Sequence, residues 1–389
     1  MKKNDSSSKG KAFCIKGKVL TEKGFQRDTS LVVKDGLVQE LSPAPKRDSG
    51  VVFDYPSMYV VPGFVEMHVH GALGCDFANG RVEENSKIAK YLAKQGVTAL
   101  MAALVSSPES ETKRASKALA ETPKQGAKIL GALFEGPFIN PERKGAHRAE
   151  CLRLPELDLA RNLIDVLPTE MIKAMLIAPE LDGALPFISA MAKEKVILAM
   201  GHSSADYSTS IEALDRGVRY GVHLFNAMAP LHHRKPGIVG ALLSRDDAFV
   251  EVIPDFLHLH PAIVDVIISA KGSDRVALVT DSTGPAGLKE GCYDWSGLQV
   301  ELKGGEIRLH DGTLAGSSLG NQQILQGMKS LGFSLEEIVK MRSSVPAKIL
   351  GLEKDYGRIA EGSPANITVL DEDCLAVATI VDGQFVYQR

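Results

Sequence analysis

Residues 196–223 read VILAMGHSSADYSTSIEALDRGVRYGVH, and this stretch decides the fold. Val196 to Met200 is an apolar run of strand length. Tyr207, Ile211 and Leu214 then recur at helical spacing, and Gly217 stops the helix. Val218 to Val222 resumes as a second apolar run. Two such runs joined through a helix make a crossover, the unit from which parallel sheets are built. A histidine follows each run, His202 after the first and His223 after the second.

The same alternation extends in both directions. Tyr59 to Val65 reads as a first strand, with an amphipathic helix from Glu83 to Gln95 that Gly96 ends. Val97 to Ala102 is the second strand, followed by a helix from Glu109 to Leu119. Lys128 to Phe134 is the third, followed by a long connection and a helix near Leu157 to Val166. Met171 to Ile177 is the fourth, with a helix over Ala184 to Lys193. The quoted stretch supplies the fifth and sixth. Phe249 to Ile253 is the seventh, and its helix opens at Pro261 and ends before Gly272. Arg275 to Val279 is the eighth. Eight such units predict an α/β chain folded as a (β/α)8 barrel of the TIM type. An open doubly wound sheet is the competing arrangement, but no glycine-rich nucleotide-binding pattern follows any of these strands.

The ends of the chain read differently. Phe13 to Ile15, Ser30 to Val33 and Leu37 to Leu41 are strand-like, with a turn at Lys34-Asp35-Gly36. Ala365 to Leu370 and Thr379 to Val381 repeat the style, and Asp382-Gly383 turns into Gln384 to Tyr387. The economical organisation is a small β-sandwich domain from 1–60 and 356–389, flanking a barrel over 61–355. Lys303-Gly304-Gly305, between two short strands, marks a β-hairpin insertion near 291–312. Ser334 and Glu337 form a capping box that opens a further helix.

Composition narrows the function. The 389 residues carry 45 Lys+Arg and 48 Asp+Glu, a net charge of −3, with 44% hydrophobic residues. That balance speaks against nucleic acid as a partner, and no apolar run is long enough to span a bilayer. Met1 to Lys11 is polar and basic, and Lys16 and Lys18 interrupt the apolar segment behind it, so no signal peptide is expected. Five scattered cysteines without a C-x-x-C pair fit reduced thiols and a cytoplasmic location.

The chemistry-bearing residues share one position in the repeat. His68 and His70 lie just past the first strand, Glu135 ends the third, and His202 and His223 follow the fifth and sixth. Asp255 and His258 follow the seventh, and Asp281 the eighth. In a parallel barrel all these ends face one rim, where barrel enzymes keep their active sites. A lone histidine at a strand end is ordinarily a structural residue, and a lone Glu135 would suit a salt bridge. Six strand ends carrying such groups at one rim instead suit a divalent ion, Zn²⁺ or Fe²⁺ rather than the all-oxygen cages of Ca²⁺ and Mg²⁺. Arg234, in a loop after His223, has the fork geometry to hold a phosphate, and is otherwise a solvated charge. Trp295 reads as hairpin packing.

These motifs resemble a known family. Val61-Pro62-Gly63-Phe64-Val65-Glu66-Met67-His68-Val69-His70-Gly71 resembles the first-strand signature of the amidohydrolase superfamily. Glu135-Gly136-Pro137-Phe138-Ile139-Asn140, Lys144-Gly145-Ala146-His147, Gly201-His202-Ser203-Ser204-Ala205, His223-Leu224-Phe225-Asn226-Ala227-Met228, Val279-Thr280-Asp281 and Leu314-Ala315-Gly316-Ser317 are narrower. They resemble the N-acetylglucosamine-6-phosphate deacetylases. The resemblance implies that Glu135, His202 and His223 hold the main metal ion, Zn²⁺ before Fe²⁺, and that His68 and His70 offer ligands for a second. It implies that Asp281 is the catalytic acid and base. Asn226 and Ala227 would contact the substrate, Arg234 its 6-phosphate, and His258 the sugar or the acetyl carbonyl. Ala146, His147, Leu314, Ala315 and Gly316 would complete the pocket. The implied reaction converts an amino-sugar phosphate, N-acetylglucosamine 6-phosphate, to the free amine and acetate during amino-sugar breakdown or cell-wall recycling. The implied assembly is a homodimer whose neighbour helps to bind phosphate.

The chain departs from that pattern at Phe256, where the family usually has glycine, at Gly320-Asn321-Gln322 in place of a commoner Thr-Met, and at Asn366 in place of aspartate. N-acetylgalactosamine 6-phosphate is the alternative substrate. A cyclic amidase and an inert sugar-phosphate-binding protein are further alternatives.

Overall fold

A computed structural model describes residues 12–43 and 50–389. The basic stretch Met1 to Lys11 lies outside the described residues. Eight parallel strands run in sequence order around a barrel: β1 Phe64–Val69, β2 Val97–Val105, β3 Lys128–Glu135, β4 Ile172–Ile177, β5 Ile197–Met200, β6 Val218–Gly221, β7 Phe249–Val252 and β8 Val276–Leu278. All nine residues of β2 are buried, as a strand covered by helices on one side and packed inside the barrel on the other requires. The ring closes between its first and last strands. The Val69–Ser282 bridge is parallel, the Asp281 amide donates to the His68 carbonyl at 2.9 Å, and the His70 amide donates to that of Ser282 at 2.8 Å. Closure therefore sets the His68/His70 end of β1 directly beside Asp281.

Two helices escape the sequence reading. Gly237–Ser244 fills the gap between β6 and β7, and Asn321–Ser330 follows the insertion. The first reads GIVGALLS, apolar all round and containing glycines, so it offers no amphipathic period to detect. The insertion is also larger than a hairpin. Gly291–Trp295, Leu298–Lys303, Glu306–Leu309 and Leu314–Ser317 form a four-stranded antiparallel sheet around a core of its own, with Trp295, Val300, Ile307 and Ala315 buried in it. The capping box at Ser334 and Glu337 is present.

Both termini join in one seven-stranded mixed sheet. Its spine is Val51–Pro62, parallel to Phe13–Thr21 and antiparallel to Ile367–Leu370. The sheet wraps a shared core of Ile15, Leu31, Val60, Ile367 and Ile380, and Leu37 near one edge bridges Pro364, which precedes a central strand. The sandwich is thus a single sheet folded over on itself.

A buried ion pair ties the barrel to the helices behind it. Glu66 and Arg342 are both wholly inaccessible, with Arg342 Nη1 3.0 Å from Glu66 Oε2. Arg342 also donates to the Leu278 carbonyl and to Asn321 Oδ1, which gives the Gly320-Asn321-Gln322 departure a structural role. Glu66 Oε1 accepts from the amides of His68 and Thr280. Arg342→Met should cost about 3–5 kcal/mol, because the Glu66 charge would stay buried without its partner. Chemical denaturation measures this, and a loss under about 1 kcal/mol would show that the pair does not hold β1 to β8.

Candidate functional site

Two groups of metal-type side chains meet at the C-terminal mouth of the barrel. His68, His70 and Asp281 form one, and Glu135, His202 and His223 the other, each with ligand atoms within 4.8 Å of one another and every residue buried. Glu135 stands between them. Its Oε1 lies 3.0 Å from His223 Nε2, 3.3 Å from His202 Nε2 and 3.4 Å from His68 Nε2. Its Oε2 lies 3.2 Å from His70 Nε2 and 3.4 Å from His147 Nε2. Asp281 Oδ1 is 3.2 Å from His70 Nε2 and 3.6 Å from His68 Nε2.

The backbone is bent to achieve this. His202, His223 and Asp281 have φ of 44°, 28° and 49°, a left-handed region that costs a non-glycine residue of the order of 1–3 kcal/mol. Each follows the end of a barrel strand, where the turn redirects a side chain into the mouth. Glu180 braces the His202 turn by accepting from Ser203 Oγ, the Ser204 amide and Asn140 Nδ2 at 2.6–2.7 Å.

Hydrogen bonding fixes which ring nitrogens face inward. His202 Nδ1 sits 2.7 Å from the Arg143 carbonyl, an acceptor, so it donates, and the lone pair of Nε2 faces Glu135 Oε1. His68 Nδ1 likewise donates to Glu251 Oε2 at 2.9 Å, leaving a buried Nε2 with no hydrogen-bond partner. Two acceptors pressed together repel unless a cation or a proton lies between them. The donor set, imidazole nitrogens and carboxylate oxygens, therefore fits a divalent metal ion. The field agrees. Burial opposes charge on His70, yet Asp281 and Glu135 raise it to about 9, and His68 is raised likewise by Glu251, Glu135 and Asp281. Burial holds His202 neutral, at about 4. Against their own burial, Glu135 and Asp281 are drawn below the ordinary carboxylate range, chiefly by His68.

A cavity of about 590 Å³ opens above these groups. Ala146, His147, Asn226, Ala227, His258, Leu314 and Gly316 line it together with His70, Glu135, His202, His223 and Asp281. Gly316 must be glycine, since a Cβ there would lie 2.6 Å from the Asp281 carbonyl oxygen. Three of the sequence-derived residues lie elsewhere. His68 sits behind the lining with no exposure. Ala315 turns into the core of the insertion because neighbouring residues of a strand point to opposite faces. Arg234 is exposed, its Nη1 2.8 Å from His233 Nε2, and does not line the cavity. Arg143, Lys144 and Arg308 are the cations that do.

Phe256 takes the left-handed φ of 62° that explains a glycine preference at this position. Its ring lies against Gly327, where a Cβ would come within 3.2 Å, and is not part of the cavity wall. The flanking pair survives, with His258 Nδ1 donating to Asp255 Oδ2 at 2.6 Å. Phe256→Ala should lower thermal stability while leaving the substrate KM within about threefold. A tenfold change in KM at unchanged melting temperature would place the ring in the pocket after all.

Sequence reasoning missed Glu251, Glu66 and the cavity residues Arg143, Lys144, Arg308 and Thr283. Glu66 and Glu251 did carry a signal, since each is a charge inside an otherwise apolar strand, Phe64-Val65-Glu66-Met67 and Phe249-Val250-Glu251-Val252. Trp295 packs as expected, donating to Asp76 Oδ2, but it also lines the cavity, edge-on to His70.

Residues 59–386 match the Amidohydrolase family. The chain is 32% identical over 371 residues to an N-acetylgalactosamine-6-phosphate deacetylase of Escherichia coli O157:H7, covering 94% of this chain and 97% of that one. It is 33% identical over 389 residues to an N-acetylglucosamine-6-phosphate deacetylase of Vibrio furnissii, covering 98% and 96%. In structure it is similar to an N-acetyl-D-glucosamine-6-phosphate deacetylase variant of Mycobacterium smegmatis in complex with N-acetyl-D-glucosamine-6-phosphate. There the TM-score is 0.91 at 30% identity, over 97% of this chain and 100% of that one. The Thermotoga maritima N-acetylglucosamine-6-phosphate deacetylase gives 0.85 at 32% identity, again over 97% and 100%.

Proposed function

This chain belongs to the amidohydrolase family, among its amino-sugar-phosphate deacetylases, and from that premise we propose that it hydrolyses the acetamide of N-acetylglucosamine 6-phosphate to glucosamine 6-phosphate and acetate. The observation that carries the reading is the meeting of two buried donor groups through one carboxylate, Glu135, beneath a cavity of sugar size. Glu135, His202 and His223 would hold one ion, Zn²⁺ in first place and Fe²⁺ in second, and His68 and His70 would hold another.

A bound divalent ion supplies an acidified water and polarisation of the acetamide carbonyl. The protein supplies the proton traffic. Asp281, ionised and facing the cavity, accepts a proton from the attacking water and delivers it to the nitrogen as the C–N bond breaks, since an amide anion is too basic to leave. His258 donates toward the carbonyl or the sugar, oriented by Asp255. Asn226, Ala227, Ala146, His147, Leu314 and Gly316 shape the sugar pocket, with Arg143, Lys144 and Arg308 as its cations. Arg234, exposed on its loop, suits the homodimer the resemblance implies, in which it would reach a neighbour's phosphate. Five free cysteines, and no described helix long and apolar enough to cross a membrane, support a cytoplasmic location.

Metal-loaded protein should release acetate from N-acetylglucosamine 6-phosphate with a higher kcat/KM than from N-acetylgalactosamine 6-phosphate. The reverse order would transfer the assignment to the second sugar, a reading that the Escherichia coli relative supports at similar identity. Acetate from neither would end both. The pH profile gives a finer test. Burial works against charge on His258, but Asp255 raises its pKa above the ordinary histidine value. The cation therefore persists to higher pH than on an ordinary histidine and is lost as pH rises through that raised value. Asp255→Asn should move the alkaline limb of kcat/KM to lower pH, and an unmoved limb would remove His258 from the reaction.

A further inference from the structure

Glu251 lies within β7, wholly buried in the barrel interior. A carboxylate so placed ordinarily has a cationic side chain or several donors around it. Glu66, another wholly buried acid within a barrel strand, has Arg342 and two backbone amides. Glu251 has neither. Among the described residues its one side-chain partner is His68, whose Nδ1 donates to Oε2 at 2.9 Å, while Oε1 has no hydrogen-bond partner. On the far side of the same ring, His68 Nε2 faces Glu135 and Asp281 at 3.4 and 3.6 Å with no hydrogen-bond partner of its own.

The other inner histidines are held more loosely. His202 Nδ1 donates to a neutral carbonyl, and the Nδ1 atoms of His70 and His223 have no partner. His68 alone in the cluster is backed by a carboxylate, and it belongs to the second donor group. A carboxylate behind an imidazole fixes its tautomer, makes the opposite nitrogen a stronger donor to a metal, and shares the charge of the ion beyond.

We infer that Glu251 is a positioning residue that holds His68 Nε2 toward the His68/His70/Asp281 pocket and commits this chain to a second divalent ion. This rests on reading the cluster as a metal centre and is independent of which sugar is the substrate.

The test is metal binding, with Zn²⁺ as the probe. Stripped wild-type protein, titrated with Zn²⁺ and assayed for bound metal, should take up two ions per chain. Glu251→Gln preserves the volume and a carbonyl acceptor for His68 Nδ1 but removes the charge. It should bind the first ion as before and the second about 10–100-fold more weakly, the range found when such outer partners are replaced. A merely structural role predicts a lower melting temperature with unchanged affinity for the second ion. Saturation of the wild type at one ion overturns the inference, as does a Glu251→Gln protein whose two affinities are unchanged or fall together. Should Glu251→Gln fail to fold, the wild-type stoichiometry and Glu251→Asp, which keeps the charge but shortens its reach, decide the matter by the same readouts. Acetate release by a one-ion wild type would leave the proposed function standing while removing this inference.

Discussion

Asp281→Asn should lower kcat for acetate release by about a thousandfold, within the range of about 10²–10⁴ that positioned acid–base groups contribute. The substitution is nearly isosteric, and the Asp281 amide bond to His68 that closes the barrel is a backbone contact that remains. An asparagine cannot accept the proton of the attacking water and so has none to give the departing nitrogen. An ion bound by Glu135, His202 and His223, as proposed, should stay, because Asp281 is not one of that group. Substrate KM should change only a few-fold, since the cavity wall keeps its shape. Steady-state acetate release together with metal content measures all three quantities. A kcat within tenfold of wild type would remove Asp281 from the proton path.

Glu135→Gln should be more severe in a different way. One carboxylate faces the Nε2 atoms of His68, His70, His147, His202 and His223, all within 3.4 Å. Without its charge both donor groups lose their shared anion, and the lone pairs of His202 and His68 face a neutral amide. The variant should retain little metal after dialysis, and acetate release should fall by more than about 10⁴, the combined loss of an activated water and a polarised carbonyl. Wild-type protein stripped by a chelator makes the control. Its activity should return on adding Zn²⁺, whereas that of Glu135→Gln should not. A variant that binds Zn²⁺ as tightly as wild type would place the ion elsewhere.

The two predictions separate the roles of neighbouring carboxylates. Asp281 should act mainly on kcat with the first ion in place, while Glu135 should act through metal occupancy itself. Glu251, further back, should act on the affinity of the second ion alone. Similar burial thus leads to three distinct readouts, because each acid faces a different set of atoms.

Much of this was present in the sequence. Apolar runs alternating with 3.6-residue periodicity specify strand and helix locally, and eight repeats in order leave a closed parallel barrel as the economical solution. Since strand C-termini share one rim, placing His68, His70, Glu135, His202, His223 and Asp281 at or just past strand ends was enough to bring them together. What escaped lacked a local pattern. The helix Gly237–Ser244 is apolar on every side, and the strands of the insertion are short. Ala315 has the right neighbourhood, but its side-chain direction depends on strand facing, which spacing does not encode. The left-handed backbone at His202, His223 and Asp281 is likewise silent, because such strain persists only when surrounding packing over-determines it.

The sequence by itself therefore determined the barrel, its order of strands and the residue types at its rim, because those follow from local periodicity repeated along the chain. Only the tertiary structure decided that Glu135 joins two donor groups, that Arg342 answers Glu66, and that Glu251 has His68 as its one described side-chain partner. Those facts are distances between residues remote in sequence, fixed when the first strand meets the eighth.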